Sequence, residues 1–302
     1  MQTYDTIIIG AGCAGLGAAV YSGRFKMKTL ILGKMVGGTI NTTHIVENYP
    51  GFPRIGGMEL ANKLKDHALK YDIELKEEKV EKIGKQKSIF AVSTNKGKYL
   101  SKTIIFCTGT RVRKLNAPGE KGFTNKGVHY CAMCDGAFYK DKVMGVIGGS
   151  DSAAKEALLL SEYAKKVYII YRKEKIRAEP VNYKKVIDNK KIEIINNTNI
   201  TEIKGDKFVN KVIFDKPYKG KREFNVDGLF IEIGRLPVSE LANDLGVKTN
   251  EKDEIIIDRE SKTNVKGVFA AGDVVNTKFK QAITGVGEGV TAAYSAYGYL
   301  NH

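Results

Sequence analysis

Cysteine is scarce in this sequence, with four residues in 302. That is too few for a secreted disulfide scaffold, so a close pair among them points to redox or metal chemistry. No apolar run approaches the roughly 18 residues that cross a bilayer as a helix, which excludes a helical membrane enzyme. The N-terminus enters an apolar run at once (Thr6-Ile7-Ile8-Ile9), leaving no room for a signal peptide, and a cytoplasmic location is the expectation. Helix-turn-helix, zinc-finger and aromatic RNA-binding signatures are missing, which argues against nucleic acid as a partner. The 49 basic against 34 acidic residues still give a net charge of +15. Such a charge suits an acidic partner, with simple solubility as the plain alternative. The length allows two domains.

What is present begins with a glycine turn. Residues 5–33 read as strand, turn, helix and strand, with Gly10-Ala11-Gly12-Cys13-Ala14-Gly15 as the turn. This is the dinucleotide fingerprint in its required context. Gly10 allows the tight turn, Gly12 lets the backbone approach a pyrophosphate, and Gly15 lets helix and strand pack closely. The helix N-terminus offers N–H groups to the phosphates. The acid expected after the second strand is absent, and Gly33-Lys34 stand there instead. Cys13 reads as a packing residue and Cys107 as a buried structural one. Further on, 58–71 has helical periodicity, and 73–106 reads as an antiparallel meander.

A second strand–turn–helix unit begins at Val143 and continues into a strand at Val167–Tyr171. Its turn is Gly148-Gly149-Ser150-Asp151-Ser152-Ala153, with serine where the approach glycine belongs. A side chain there crowds a pyrophosphate. Arg172, Lys173 and Arg177 follow and suit either a 2′-phosphate or a solvated loop. Late in the chain, Phe269-Ala270-Ala271-Gly272-Asp273 ends a strand on one carboxylate, and a helix rich in small residues is expected from about Gly285 to Leu300.

Between the two turns lies Cys131-Ala132-Met133-Cys134-Asp135-Gly136, the one close cysteine pair. This spacing lets two thiols meet as a disulfide. It is also half of a zinc site, but no second pair exists and His129 is the one histidine nearby.

Together these features resemble the low-molecular-weight thioredoxin reductases over essentially the whole chain. The resemblance implies an α/β fold of two Rossmann-like, three-layer nucleotide-binding domains, the second inserted in the first. The FAD-binding domain would comprise 1–113 and 241–302, and the NAD(P)-binding-like insert, carrying the cysteine pair, 114–240. Gly10, Gly12, Cys13, Ala14 and Gly15 would cradle the FAD pyrophosphate. Gly38, Thr39, Ile40 and Asn48 would lie along the flavin, with Val80, Thr108 and Gly109 beside the same cofactor. Gly272 and Asp273 would meet the ribityl chain, and Lys280, Gln281 and Ala282 the flavin end, although the family usually has arginine where Lys280 stands. Cys134 would receive electrons from the flavin, Cys131 would attack the partner disulfide, and Asp135 would protonate a leaving thiolate.

A homodimer acting on thioredoxin is implied, with no nucleic acid or membrane involved. Ser150 and the partial Tyr171–Arg177 motif depart from the NADPH-using pattern. Some relatives take electrons from reduced ferredoxin, a small acidic protein that a +15 chain would attract. Reduced ferredoxin is therefore the expected donor. NADPH, or a dithiol oxidase passing electrons to oxygen, is the alternative.

Overall fold

Runs of consecutive isoleucines build the first sheet in the computed structural model, which describes residues 3–301. Strand β1 (Thr3–Ile9) leads through the glycine turn into α1 (Cys13–Arg24) and β2 (Thr29–Leu32). Next come α2 (Gly57–Ala68), β3 (Ile73–Lys76), β4 (Val80–Gln86), β5 (Ile89–Thr94) and β6 (Lys98–Phe106). β1 pairs in parallel with β2 and β6, setting Ile8 opposite Ile31 and Ile105. Those three side chains pack with Leu16 and Ala18 of α1, whereas Ile7, Ile9, Leu30 and Phe106 pack on the other side with Phe90 and Val92. Both faces are covered, so the strands read as unbroken apolar runs. Each fully buried isoleucine contributes about 1.5–3 kcal/mol over an exposed one.

The structure divides the expected meander. Only β4, β5 and β6 form antiparallel pairs, while β3 lies parallel to β2, with Thr29 opposite Ile73. Ile73 and Leu75 pack against the cluster beneath α1, and that burial places β3 at the parallel edge. The expected 58–71 helix stops at Ala68, and Tyr71 N–H donates to the Ala68 carbonyl in a closing turn.

A second compact unit spans Val112–Arg235, and the remaining chain forms the first. It holds β7 (Val128–His129), α3 (Ala132–Asp135), β8 (Val143–Ile147), α4 (Asp151–Tyr163), β9 (Lys166–Ile170), α5 (Pro180–Asp188) and β10 (Ile192–Ile195). An antiparallel trio follows, β11 (Ile200–Gly205), β12 (Val209–Tyr218) and β13 (Lys221–Asn225), and then β14 (Gly228–Ile231). The parallel sheet runs β7-β14-β8-β9-β10, with Val146 opposite Ile169 and Phe230.

The chain then returns to the first unit. β15 (Val268–Ala270) joins β6 in parallel, with Phe269 opposite Ile105. α6 (Ala282–Asn301) begins three residues before the sequence suggests, because Thr284 Oγ1 accepts from the Gln281 N–H at 3.0 Å and closes an earlier first turn. α6 lies tight on α1: a Cβ on Gly289 would stand 2.1 Å from the Ala14 carbonyl oxygen.

Candidate redox and cofactor sites

The first glycine turn contains three glycines with different steric reasons. Gly10 has φ +114°, and a Cβ there would meet the Cys107 carbonyl oxygen at 2.1 Å and Thr108 N at 3.0 Å. On Gly15 a Cβ would meet the Gly10 carbonyl oxygen at 1.9 Å. Both are required by the fold. Gly12 is different, since its nearest neighbour would be Gly37 O at 3.9 Å. The space over Gly12 is a cradle that a side chain would fill, at the N-cap of α1, which has no side-chain cap. That fits a pyrophosphate. Cys13 opens the helix with its thiol pushed up to about 11 by burial and the Asp273 charge. Burial pushes Cys107 up further. Neither is suited to exchange. The missing acid also has a steric reason: a Cβ on Gly33 would lie 2.6 Å from Ala11 Cβ.

Residues far apart in sequence assemble around this turn. Gly37 N–H donates to the Ala11 carbonyl at 2.8 Å, bringing the short 3-10 helix Gly38–Thr42, with Thr39 and Ile40, beside it. A Cβ on Gly272 would stand 2.8 Å from Ala14 Cβ, which puts the Gly272-Asp273 tip against α1. Asn48 Nδ2 donates to Gln281 Oε1 at 3.1 Å across 233 positions, next to Ala282 at the start of α6. Lys280 Nζ donates to the Asp273 carbonyl at 2.9 Å and pairs with Glu254. A lysine thus reaches both partners, without the planar fork of arginine. Thr108 Oγ1 donates to the Val238 carbonyl at 2.6 Å, and Gly109 O accepts from Val238 N–H at 3.0 Å. Val80 is buried in the core with Leu32 and pairs with Thr94 across β4 and β5, so the structure does not bring its side chain to the turn.

The sequence reading missed Glu288. Its carboxylate accepts from Gly272 N–H at 2.8 Å and from Thr277 Oγ1, pinning the Asp273 tip. It is the lone charged residue of α6, a helix rich in glycine and alanine, which was a usable signal.

In the second unit, Cys131 and Cys134 are joined as a disulfide with Cα atoms 5.4 Å apart. Cys131 is the extended N-cap of α3, and its Sγ accepts from the Cys134 N–H at 3.2 Å. Cys134 is exposed and Cys131 half-buried. Glu156 of α4 fixes the loop between them, accepting from Ala132 N–H at 3.0 Å. Asp135 Oδ2 lies 3.1 Å from Nδ1 of His129, whose ring is 6% exposed. Phe138, four residues past Cys134, is 81% exposed, an unusual state for a phenylalanine beside a disulfide.

The second glycine turn keeps the sharp bend but not the open cradle. Gly148 has φ +146°, and a Cβ there would meet the Glu232 carbonyl oxygen at 2.0 Å. A Cβ on Gly149 would lie 2.4 Å from Cδ2 of Tyr171, so this buried ring covers the turn. Ser150 is the N-cap of α4. Arg177 N–H donates to the Gly149 carbonyl at 2.6 Å, and Arg172 and Lys173 are exposed. Burial pushes the carboxyls of Glu156 and Glu232 up, the Glu232 charge adds to the effect on Glu156, and Arg235 opposes it. Sequence reasoning did not single out either acid.

Comparison with known proteins finds relatives along nearly the whole chain. The family profile described as pyridine nucleotide-disulphide oxidoreductase matches residues 4–289. The thioredoxin reductase of Bacillus subtilis is 39% identical, covering 99% of this chain and 95% of the relative. The crystal structure of the Lactococcus lactis thioredoxin reductase superposes with a TM-score of 0.95 at 39% identity, covering 99% of both chains. A ferredoxin-flavin thioredoxin reductase from Clostridium acetobutylicum is less similar, at 31% identity and a TM-score of 0.52, with 99% of this chain and 98% of that chain covered. With matches of this identity from end to end, the chain belongs to the pyridine nucleotide-disulphide oxidoreductase family and, within it, to the thioredoxin reductases.

Proposed function

We propose that this thioredoxin reductase is charged by reduced ferredoxin. The observation that carries the reading is the second glycine turn, where the Tyr171 ring packs over Gly149 and Ser150 replaces the approach glycine. A dinucleotide backbone needs contact at that point. The net charge of +15 supports an acidic donor, and the Clostridium relative is named for such a donor.

Bound FAD supplies a two-electron centre that a donor charges and a disulfide discharges. The residues of the first unit would hold it. Gly10, Gly12, Cys13, Ala14 and Gly15 would cradle the pyrophosphate. Gly38, Thr39, Ile40 and Asn48 line the flavin, with Val80, Thr108 and Gly109 nearby. Gly272 and Asp273 would hold the ribityl chain, and Lys280 the flavin end. Gln281, Ala282 and the positive end of α6 meet the pyrimidine edge.

In the second unit, Cys134 receives the electron pair and Cys131 attacks thioredoxin. The partner S–S bond breaks as the Cys131–partner S–S bond forms, and the Asp135 carboxyl gives its proton to the departing thiolate. The Cys134 thiolate then closes the loop disulfide and releases reduced thioredoxin. Exposed Phe138 and Met133 offer apolar surface for the partner beside the pair. We assign a homodimer in the cytoplasm.

NADPH is the second reading, favoured by Arg172, Lys173 and Arg177 after β9. Anaerobic absorbance of the yellow protein separates the two. Rapid bleaching by reduced ferredoxin and none by NADPH is the expected result, with the ferredoxin rate falling as salt shortens the Debye length to about 8 Å at 0.15 M. Rapid bleaching by NADPH overturns the ferredoxin assignment.

A further inference from the structure

We propose that His129 is a positioning residue for thiol–disulfide exchange, steadying the Asp135 carboxylate once its proton has gone to the leaving thiolate. The inference rests on the reading of Asp135 as the acid and adds a residue that cysteine spacing does not reveal.

The imidazole is held on every side. It stacks on Phe230 of β14 with centroids 5.3 Å apart and meets Tyr139 edge-on at 5.4 Å. Nε2 lies 2.7 Å from the Tyr139 hydroxyl. Burial, with added pressure from the Asp135 and Asp227 charges, pushes that hydroxyl up to about 12. Tyr139 therefore keeps a proton it can donate, and we take Nε2 as its acceptor, with the ring proton on Nδ1. Nδ1 is buried and makes no hydrogen bond in the oxidised loop. The Asp135 Oδ2 atom stands 3.1 Å away, within reach but off the donor line. A small rotation of the Asp135 carboxyl aligns the two. A buried N–H without an acceptor is a costly state, and this one has an acceptor beside it that changes charge during the reaction.

The chemistry balances without a further reactant. As the partner S–S bond opens, the Asp135 O–H bond breaks and an S–H bond forms on the leaving sulfur. The new carboxylate accepts from Nδ1–H, and the imidazole keeps its proton throughout. The charged and titratable groups around this centre are few. Tyr139 follows α3, and Asp227 precedes β14 with Lys142 at 3.9 Å. Glu156 of α4 sits on the Ala132 N–H, Glu232 follows β14, and the two cysteines complete the set.

The test is the exchange step alone. The holoenzyme, reduced anaerobically with its cysteines free, is mixed with oxidised thioredoxin between pH 6 and 9, and thiols are counted by alkylation and mass. Asp135→Asn should slow the step by about 100-fold, the lower range for a general acid. His129→Phe should slow it about tenfold at neutral pH, as expected for one hydrogen bond to a charged group. Its alkaline limb should also move up by about one pH unit, because the carboxylate has lost a donor. Tyr139→Phe, which keeps the ring, should shift that limb in the same direction and serves if His129→Phe does not fold. The double variant His129→Phe/Asp135→Asn should be no slower than Asp135→Asn. An unmoved limb in the folded histidine and tyrosine variants, or additive losses in the double variant, overturns the role of His129. An Asp135→Asn rate equal to wild type overturns the acid reading itself.

Discussion

Glu156 and Glu232 are carboxyls in surroundings that penalise their charge. Burial is the main cause, and the Glu232 charge adds to the effect on Glu156. Their folded proton affinity is raised, so the folded chain holds protons that the unfolded chain releases above the ordinary carboxylate range near pH 4.3. The resulting stability is complete at acid pH and is lost as pH climbs through the raised folded values. Glu156→Gln keeps an oxygen for the Ala132 N–H and removes the titration. Its melting temperature should exceed wild type by roughly 2–4 °C at pH 9 and match it near pH 5, as thermal melts across that range would show; equal melts at pH 9 would sink the idea. Glu232 was visible in principle, as an acid inside Leu229-Phe230-Ile231-Glu232-Ile233. Glu156 sits at an ordinary polar helix position and was not. Cys131 and Cys134 stood out because a disulfide needs a fixed spacing, whereas Asp135 was singled out only through the family resemblance. The setting of His129 depends on how β7, β14 and the turn at Tyr139 pack, and no spacing in the sequence announces that.

At the scale of elements, the turn between β1 and α1 makes a sharp distinction between its glycines. A side chain at Gly12 has room in the protein but none beside a pyrophosphate. Gly12→Val should therefore fold with an unchanged circular dichroism spectrum and lose its flavin, with visible absorbance per protein at least about tenfold down. Gly15→Ala should instead lose about 1–3 kcal/mol of stability through overpacking against the Gly10 carbonyl, measured by denaturant unfolding. Normal flavin content in Gly12→Val would remove the cradle from that position. The strand–turn–helix units at Gly10 and Gly148 were readable because their apolar runs and glycines have one common solution. β3 was not readable as a parallel strand, because Ile73-Glu74-Leu75-Lys76 alternates like any half-buried strand and pairing with β2 is a long-range choice. Thr284 capping is likewise a local geometry that moved the start of α6 by three residues.

At the scale of the whole molecule, an aromatic surface supports the homodimer assignment. Phe25 stacks on Tyr297 at 4.8 Å, with Tyr21 and Tyr294 beside it, and Tyr294 is 65% exposed. If the chain forms the proposed homodimer through this surface, Tyr294→Lys should shift its sedimentation towards monomer at micromolar concentration; an unchanged profile would remove this surface as the interface. The same two elements carry a further consequence. α6 is made about 260 residues after its packing partner α1, or about 13–50 s later at ordinary translation rates. For that interval Leu16 and Ala18 lie on a ribosome-bound chain without the helix that abuts α1. The second unit, continuous in sequence, emerges complete before α6 exists. Biosynthesis therefore closes this protein from the middle outward. The second unit can settle first, and the unit that holds α1 waits for α6, which makes loss of α6 a lesion of the fold around α1.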